Sequence, residues 1–317
     1  MEKFRSKIKG NFWVWGQIKE RQELNNKYFF SLDARVNHAP IPKNESNPVK
    51  KALSDAWFKK ISVDEKIELI GFEFTAELVY IGVNYVTGIA AYVSRDPFTA
   101  YKLHENLLTE LNRKFNPLPP QYELLNNNLL EFLSMESAMI SHFYMEQNNL
   151  PKAQEYLDGV FKYFKDNYDG YLLKSIYEFK YKNDALAALR SIKQAAKLSK
   201  HDGAWRYSKA FLLLYLKKYG EALKTYFDIE NYKYKGEEIT LGQVIKFNKD
   251  RLEIKNNDIV SNFILGFVYL KKLKNYPTSL EYFEKIITNY TEDKESYLIL
   301  RKVDEFLKEI KREMKIS

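Results

Sequence analysis

Hydrophobic residues recur at three- and four-residue steps along most of the chain, from about residue 72 onward. The run Leu78, Ile81, Tyr85, Ile89 and Tyr92 is one example, and this spacing places apolar side chains on one face of an α-helix. Polar breaks of similar composition interrupt the pattern: SRDP at 94–97, QNNLP at 147–151, KND at 182–184, KKYG at 217–220 and KNYP at 274–277. The pattern therefore predicts pairs of amphipathic helices, each pair joined by a short turn.

A small residue followed four positions later by a bulky one marks the second helix of each predicted pair. A small side chain lets two helices cross closely, and the bulky side chain one turn later fills the space against the neighbouring repeat. The small residues Ala153, Ala188 and Ala222 are 35 and 34 residues apart. The pairs are Ala153–Leu157, Ala188–Ile192 and Ala222–Tyr226, with Ala100–His104 and Ser279–Phe283 as divergent copies.

This spacing and one local motif resemble the tetratricopeptide repeat (TPR), a two-helix unit with a period of about 34 residues. The segment LGFVY at 265–269 is similar to the family's L-G-x-x-Y, and the corresponding small position in the other units holds Gly88, Ser141, Ile176 and Ala210. The resemblance covers residues 75–317. It implies a mainly α fold, a TPR-like right-handed solenoid of helical hairpins with a small N-terminal α+β segment.

Two insertions, 113–133 and 230–257, separate the outer units and leave the count of five repeats open. A generic α-helical solenoid or bundle without TPR ancestry is the alternative. The C-terminal stretch 295–311 carries Ile299, Val303, Phe306 and Ile310 on one face. It predicts a helix that covers the last apolar face of the stack, with a partner-binding helix as the alternative.

Residues 1–71 have a different pattern and form a predicted segment of their own, ahead of a helical-repeat domain at 72–317. Segments 11–18 and 27–36 are rich in aromatic and β-branched residues, which predicts a β-hairpin. A proline-rich loop follows at 38–48, and Asn47 before Pro48 favours a short helix from about residue 48 to 60. Since two strands alone are not a stable sheet, we expect strands from 60–72, the helical stack or a partner to complete it.

Composition narrows the class of protein further. The net charge is +8, but the lysines alternate with acidic residues along the whole length, so nucleic-acid binding is a weaker alternative than protein binding. The absence of cysteine excludes disulfides and thiolate metal sites. No apolar run reaches the length of a signal peptide or a membrane span. We expect a cytoplasmic protein with no membrane partner and no cofactor.

Motifs for catalysis or metal binding are missing from the sequence. There is no G-x-G pair, and the four histidines (His38, His104, His142 and His201) form neither an H-E-x-x-H nor an H-x-H arrangement. His104 falls at a helix-packing position, where we expect a hydrogen-bonded core histidine. Asp33, His38 and Glu45 lie near one another without a serine or glycine elbow. We interpret them as surface residues. An enzyme site near Asp33 and His38, at the junction of the N-terminal segment and the first helices, is kept as a third hypothesis.

The resemblance also implies where a partner would bind, because the first helices of successive TPR-like repeats line a concave face. Ten residues map there: Met135, His142, Met145, Leu173, Tyr177, Lys180, Tyr207, Phe211, Phe263 and Phe267. Such a lining could accept an amphipathic helix or an extended peptide, unless these side chains pack between repeats. Only Lys180 matches the residues of a carboxylate clamp, so capture of a C-terminal carboxylate is not predicted.

These observations predict a protein–protein interaction scaffold or adaptor that binds a partner peptide or domain on the concave face. In this hypothesis the N-terminal segment serves dimerisation or docking. The partner's identity, the pathway and the oligomeric state are not predicted.

Overall fold

The computed structural model describes the backbone of residues 12–24, 27–38, 61–64, 68–199, 203–234, 236–289 and 297–315, and their side chains from residue 80 onward except at Gln121. The chain divides into two compact units, 1–166 and 167–317. This division falls inside the predicted repeat domain. A separate domain at 1–71 stays a prediction.

A three-stranded antiparallel sheet in the order β1-β2-β3 belongs to the first unit. Its strands are β1 (Phe12–Leu24), β2 (Lys27–His38) and β3 (Ile61–Asp64). The register of β1 against β2 shifts between Ile18 and Glu20. Strands β2 and β3 lie where we expected strands, whereas β1 continues to Leu24, beyond the predicted segment 11–18. The predicted helix at 48–60 and most of the preceding loop lie outside the described residues.

Two helical hairpins follow in the first unit. Helix α1 (Glu68–Val93) contacts all three strands and pairs with α2 (Pro97–Lys114). After a 3₁₀ turn at Pro120–Tyr122, α3 (Glu123–Glu146) packs on α2 and pairs with α4 (Leu150–Tyr163). The insertion predicted at 113–133 is thus a short connection and the beginning of α3.

The second unit contains three hairpins and two further helices among its described residues. The hairpins are α5 with α6, α7 with α8, and α10 with α11. Helix α9 lies between the second and third hairpins in the chain order and contacts α7 and α10. Helix α12 packs on α11. The helices are α5 (Tyr168–Ile176, continued by a π-helical turn Tyr177–Tyr181), α6 (Ala185–Leu198), α7 (Ala204–Tyr215), α8 (Tyr219–Asn231), α9 (Glu237–Ile254), α10 (Ile259–Phe267, continued by a π-helical turn Val268–Lys272), α11 (Tyr276–Asn289) and α12 (Tyr297–Met314).

The turn inside each of the five described hairpins has the same construction. One residue adopts a left-handed backbone with φ between 52° and 63°, and the second helix begins two residues later. In the first turn, the N–H groups of Arg95 and Asp96 donate to the carbonyls of Tyr92 and Ala91, each at 3.0 Å, which is a Schellman ending. The five left-handed residues are Arg95, Asn148, Asn183, Lys217 and Lys274. All five breaks predicted from the sequence are therefore hairpin turns.

Side-chain caps start the second helix in four of the five hairpins. The side chains of Asp96, Asn149, Asp184 and Asn275 each accept from the backbone N–H three residues later, at 3.1, 3.4, 2.8 and 3.2 Å. This bond satisfies one of the free N–H groups at the beginning of a helix. Lys218 stands at the same place before α8 and makes no side-chain cap.

Small residues lie where the two helices of a hairpin cross. Ala153, Ala188 and Ala222 are all fully buried. The three residues therefore have equivalent environments, as the repeat hypothesis requires. Serine hydroxyls tighten two of the crossings. Ser141 Oγ donates to the Ala153 carbonyl at 2.8 Å, and Ser279 Oγ donates to the Gly266 carbonyl at 2.7 Å. The prediction of TPR-like helical hairpins is confirmed, while a right-handed solenoid over the whole chain stays a prediction.

Two glycines in first helices face a ring from the second helix. A Cβ added to Gly266 would lie 2.6 Å from the Phe283 ring, and one added to Gly88 would lie 2.2 Å from His104 Nε2. Both distances are far below a normal carbon contact. The backbone of the first helix therefore packs directly on the bulky residue of the repeat, and only glycine leaves room for it.

Helix α12 covers the end of the second unit's core. Ile299, Val303, Phe306 and Ile310 are all buried, and Phe306 stacks on Phe283 at 5.3 Å between ring centroids. The prediction of a capping helix is confirmed.

A largely buried lysine ties the capping helix to the hairpins. Lys271 Nζ lies 2.9 Å from Glu230 of α8 and 2.8 Å from Glu309 of α12. Burial alone would lower the pKa of Lys271, but the bonds to these two carboxylates raise it above its usual value. The ammonium group therefore stays charged and links α12 to α8.

Replacing Gly266 by alanine should test the tight crossing. We expect Gly266→Ala to lower the free energy of unfolding by about 1 to 3 kcal/mol, because its Cβ overlaps the Phe283 ring. Gly242 is the control: it lies in exposed α9 with no atom within 4 Å of an added Cβ. Gly242→Ala should raise stability by about 0.5 to 1 kcal/mol. Urea unfolding followed by circular dichroism measures both, and equal effects would contradict the crossing geometry.

A cap introduced before α8 should stabilise the second unit. We expect Lys218→Asp to raise the free energy of unfolding by about 1 kcal/mol. An aspartate side chain at this position can accept a hydrogen bond from a free backbone N–H at the beginning of α8, which a lysine side chain cannot do. Lys224→Asp makes the same charge change in the exposed interior of α8, where aspartate is a poor helix former, and should give no gain. Thermal unfolding compares the two variants. A gain shared by both would point to net charge instead of capping.

Candidate partner-binding surface

Most residues predicted to line a groove are core residues in the structure. Seven are buried: Met145, Leu173, Tyr177, Tyr207, Phe211, Phe263 and Phe267. Met135 is half-buried and its sulfur accepts from the Tyr92 hydroxyl at 3.9 Å, while His142 and Lys180 are exposed. The seven buried side chains hold helices together, which is the alternative we gave for this set. Partner contact by the exposed members stays a prediction.

Four aromatic side chains and one arginine in the second unit form a patch that reaches solvent, and of these only Phe211 belongs to the predicted set. We call it the α5–α7–α9 surface and define it by five residues. They come from the end of α5 and its π-helical turn, from α7, and from the inserted α9. They are Phe179, Phe211, Tyr215, Phe247 and Arg251.

Edge-to-face contacts hold these rings in place. Phe179 meets Phe211 at 5.1 Å and Tyr215 at 4.9 Å between centroids, and Phe247 meets Phe211 at 5.2 Å. Such pairs add about 0.5 to 1.5 kcal/mol beyond burial of their area. Phe211 is only 8% exposed and anchors the group, whereas Tyr215 and Phe247 are each 40% exposed. The surface is thus a rigid aromatic patch that is open on one side.

The guanidinium of Arg251 lies among three of these rings. Its Cζ is 5.3, 5.8 and 5.9 Å from the centroids of Phe211, Tyr215 and Phe247, within cation–π range. Nη2 donates to Asp258 at 3.1 Å, and Nε donates to Ser261 Oγ at 3.3 Å. These bonds fix the plane of the group, so the charge is held in one position on the patch.

Helix α9 is positioned by polar contacts at its N-terminus. It begins after Gly236, whose φ of 88° is left-handed. Glu237 accepts from the Tyr207 hydroxyl at 2.9 Å and pairs with Lys272 Nζ at 2.9 Å. Burial and the bond to Glu237 raise the pKa of Tyr207 well above its ordinary value. Along α9 itself only Leu241 and Asn248 are buried, so most of the helix stays on the surface.

The sequence reasoning missed this surface because it treated 230–257 as an interruption of the repeat. Phe247 and Arg251 are spaced by four residues, which places them on one helical face, and that signal was present. Tyr215 is one turn beyond Phe211, which was predicted. The contact between α7 and α9 depends on how the insertion folds back, and no local pattern gives that.

The first unit has its own aromatic cluster, between α2 and α4. The hydroxyls of Tyr101 and Tyr163 are 2.9 Å apart, and Tyr101 also donates to Glu105 at 2.9 Å. Burial, followed by these two bonds, raises the pKa of Tyr101 well above its usual value. Tyr156 packs against Tyr101 at 5.6 Å. Because its hydroxyls satisfy one another, this cluster joins the second helices of neighbouring hairpins.

A buried ion pair occupies the core of the first unit. His104 and Glu136 are both 0% exposed, and Nδ1 lies 2.7 Å from Glu136 Oε1. Nε2 is 3.1 Å from the Tyr85 carbonyl, so it carries a hydrogen and donates it. Burial raises the pKa of Glu136, and the histidine partly offsets that rise. Both side chains are fully enclosed, so no substrate can reach them. The expected hydrogen-bonded core histidine is what the structure shows.

Other chemistry has little support in the described part of the chain. No group of three histidine or carboxylate side chains there could hold a metal ion, and no described helix is long and apolar enough to cross a membrane. Asp33 and His38 lie in β2, whose side chains are outside the described part, and Glu45 is outside it entirely. An enzyme site at that junction stays a prediction.

Comparisons with known proteins add little. No family model matches the chain, and no curated protein matches it. The crystal structure of the P58(IPK) TPR domain at 2.5 Å is similar, with 13% sequence identity, 80% of this chain and 70% of that chain covered, and a TM-score of 0.29. Values this low carry no inference about partners. The TPR-like character of this chain depends on its own hairpin contacts and turns.

Removing one partner of the buried ion pair should be costly. We expect His104→Leu to lower the free energy of unfolding by about 3 to 5 kcal/mol, because Glu136 is left without its partner in the core. Adding Glu136→Met should recover most of the loss, since both groups are then apolar. Glu146→Met, on the exposed end of α3, is the control and should change little. Urea unfolding measures the set. A double variant as unstable as His104→Leu would show that the charge is not the cause.

Proposed function

We propose that this chain is an interaction scaffold that binds a segment of a partner protein on the α5–α7–α9 surface. The observation that carries the proposal is the open aromatic patch, with Tyr215 and Phe247 each 40% exposed beside an immobilised Arg251. Aromatic residues and arginine are the side chains most enriched at the centres of protein interfaces. A stack of helical hairpins is also a fold commonly used for protein binding.

The composition of the surface favours a peptide or protein ligand over a small molecule. Its rings are held by neighbours at fixed angles, so binding costs little conformational entropy. The two exposed rings offer apolar area to an apolar anchor, and the guanidinium next to them supplies a polar contact. No deep concavity is needed for such a ligand, which would lie across the ends of α5, α7 and α9.

The test uses peptides that the protein itself selects. Twelve-residue random peptides displayed on phage are selected on the full chain, and the enriched peptides are synthesised with blocked termini. Fluorescence anisotropy then measures their affinity for variants of the exposed rings. We expect Tyr215→Ala and Phe247→Ala each to weaken binding about tenfold or more, a loss of about 1.4 kcal/mol.

Phe227→Ala is the matched control, because Phe227 is 67% exposed on α8 of the same unit and is not part of the surface. It should leave the affinity within about twofold, a change of about 0.4 kcal/mol. Circular dichroism confirms that all three variants fold. Equal affinity of the wild type and both surface variants for every selected peptide would remove this surface as the binding site.

A further inference from the structure

The guanidinium of Arg251, the cationic group of the surface, uses only some of its hydrogen-bond donors. Within the described residues, the guanidinium of Arg251 uses Nη2 and Nε for Asp258 and Ser261, and its Nη1 has no hydrogen-bond partner. The side chain is 25% exposed. Arginine offers five N–H donors in a planar fork, so donors remain for a ligand.

The carboxylate that faces Arg251 is heavily shared. Asp258 Oδ2 accepts from Arg251 Nη2 at 3.1 Å, from the Ser261 backbone N–H at 3.1 Å and from Ser261 Oγ at 2.6 Å. One oxygen thus caps α10 and also orients the guanidinium. Asp258 contacts only the Nη2 side of the guanidinium, so the donors at Nη1 stay available.

Exposed lysines outnumber exposed carboxylates in the segments that form the patch. Exposed lysines lie in or just after each of these segments. Of the nearby carboxylates, Glu178 accepts from Ser191 Oγ at 2.6 Å, and the exposed Asp184 accepts from the Ala187 backbone N–H at 2.8 Å. Against these lysines stand the exposed Asp250 and Glu253. An anionic ligand is therefore favoured by its surroundings as well as by the guanidinium. The exposed lysines are Lys180, Lys182, Lys217, Lys218, Lys246, Lys249 and Lys255.

We propose that Arg251 receives an aspartate or glutamate side chain of the partner, next to an apolar residue that packs on Tyr215 and Phe247. This inference rests on the proposed function and names the chemistry of the partner segment. A guanidinium that lies over aromatic faces is partly dehydrated, so a carboxylate at Nη1 makes a stronger charge-assisted bond than it would in water. The acid and its apolar neighbour together match the two halves of the patch.

Arg251 belongs to the inserted helix, so the site differs from a groove made only by first helices of repeats. A nucleic acid is the competing occupant, since aromatic rings and lysines also bind single strands. The patch offers one ordered cation, and three of the four contacts among its rings are edge to face. Phe211 and Tyr215 are its one near-parallel pair, with centroids 6.1 Å apart, and the Phe211 ring is only 8% exposed, so a base has no access between them. These features favour a single carboxylate over a run of phosphates.

The experiment continues from the selected peptides. Peptides enriched on the wild type should contain Asp or Glu beside an apolar residue, and selection on Arg251→Gln should lose that acid. For one enriched peptide, changing its acid to the amide should weaken binding to the wild type about tenfold. The same change should have no effect on binding to Arg251→Gln. This double-mutant cycle separates direct contact from any effect of Arg251 on the fold.

Arg190→Gln, an exposed arginine on α6, is the charge control and should keep the wild-type preference for the acid. Peptides that depend on Phe247 but bind Arg251→Gln equally well would overturn the carboxylate contact and leave the proposed function standing. Peptides indifferent to both Tyr215 and Phe247 would overturn the proposed function itself. Tight binding of a twelve-nucleotide oligouridine, lost in Arg251→Gln, with no acid in the selected peptides would assign the patch to nucleic acid instead.

Discussion

The close crossing of two helices inside each hairpin is the constraint on which the rest of the structure depends. A bulky side chain from the second helix contacts the backbone of the first, most tightly where Phe283 meets Gly266 and His104 meets Gly88. The crossing requires a turn of fixed geometry. A left-handed residue supplies it in all five described hairpins, with Schellman bonds in the three whose first helix has no π-helical turn. The remaining contacts between neighbouring hairpins follow from this spacing. Serines that donate to facing carbonyls tighten two of the crossings, at Ala153 and at Gly266 itself.

The same crossing explains why so much of the helical architecture could be predicted from the sequence. Hydrophobic period, turn residues and small–bulky pairs are local signals, and each is tied to one feature of a hairpin. The buried face of α12 was predicted residue by residue for the same reason. The choice of exposed residues was less successful, because one turn of helix separates a core position from a surface position. Tyr177 and Phe211 were expected in a groove, yet both are buried.

Long-range arrangement was the part that local patterns could not provide. Nothing around Phe247 indicates that α9 folds back to place this ring against Phe211 of α7. The ion pair joins His104 and Glu136, which are 32 residues apart in sequence, although the burial of the histidine was expected from its repeat position. Contacts of this kind arise from the packing of several helices at once. They are visible only when the tertiary structure is known.

Helix α9 has a consequence for how a protein of this design can diversify. It is attached through Glu237 to Tyr207 and Lys272, and it contributes little to the buried core apart from Leu241 and Asn248. Its outward positions can therefore mutate freely while the spacing of the hairpins stays constant. A lineage could exchange recognition preferences by varying this one inserted segment, much as loops vary on a rigid framework.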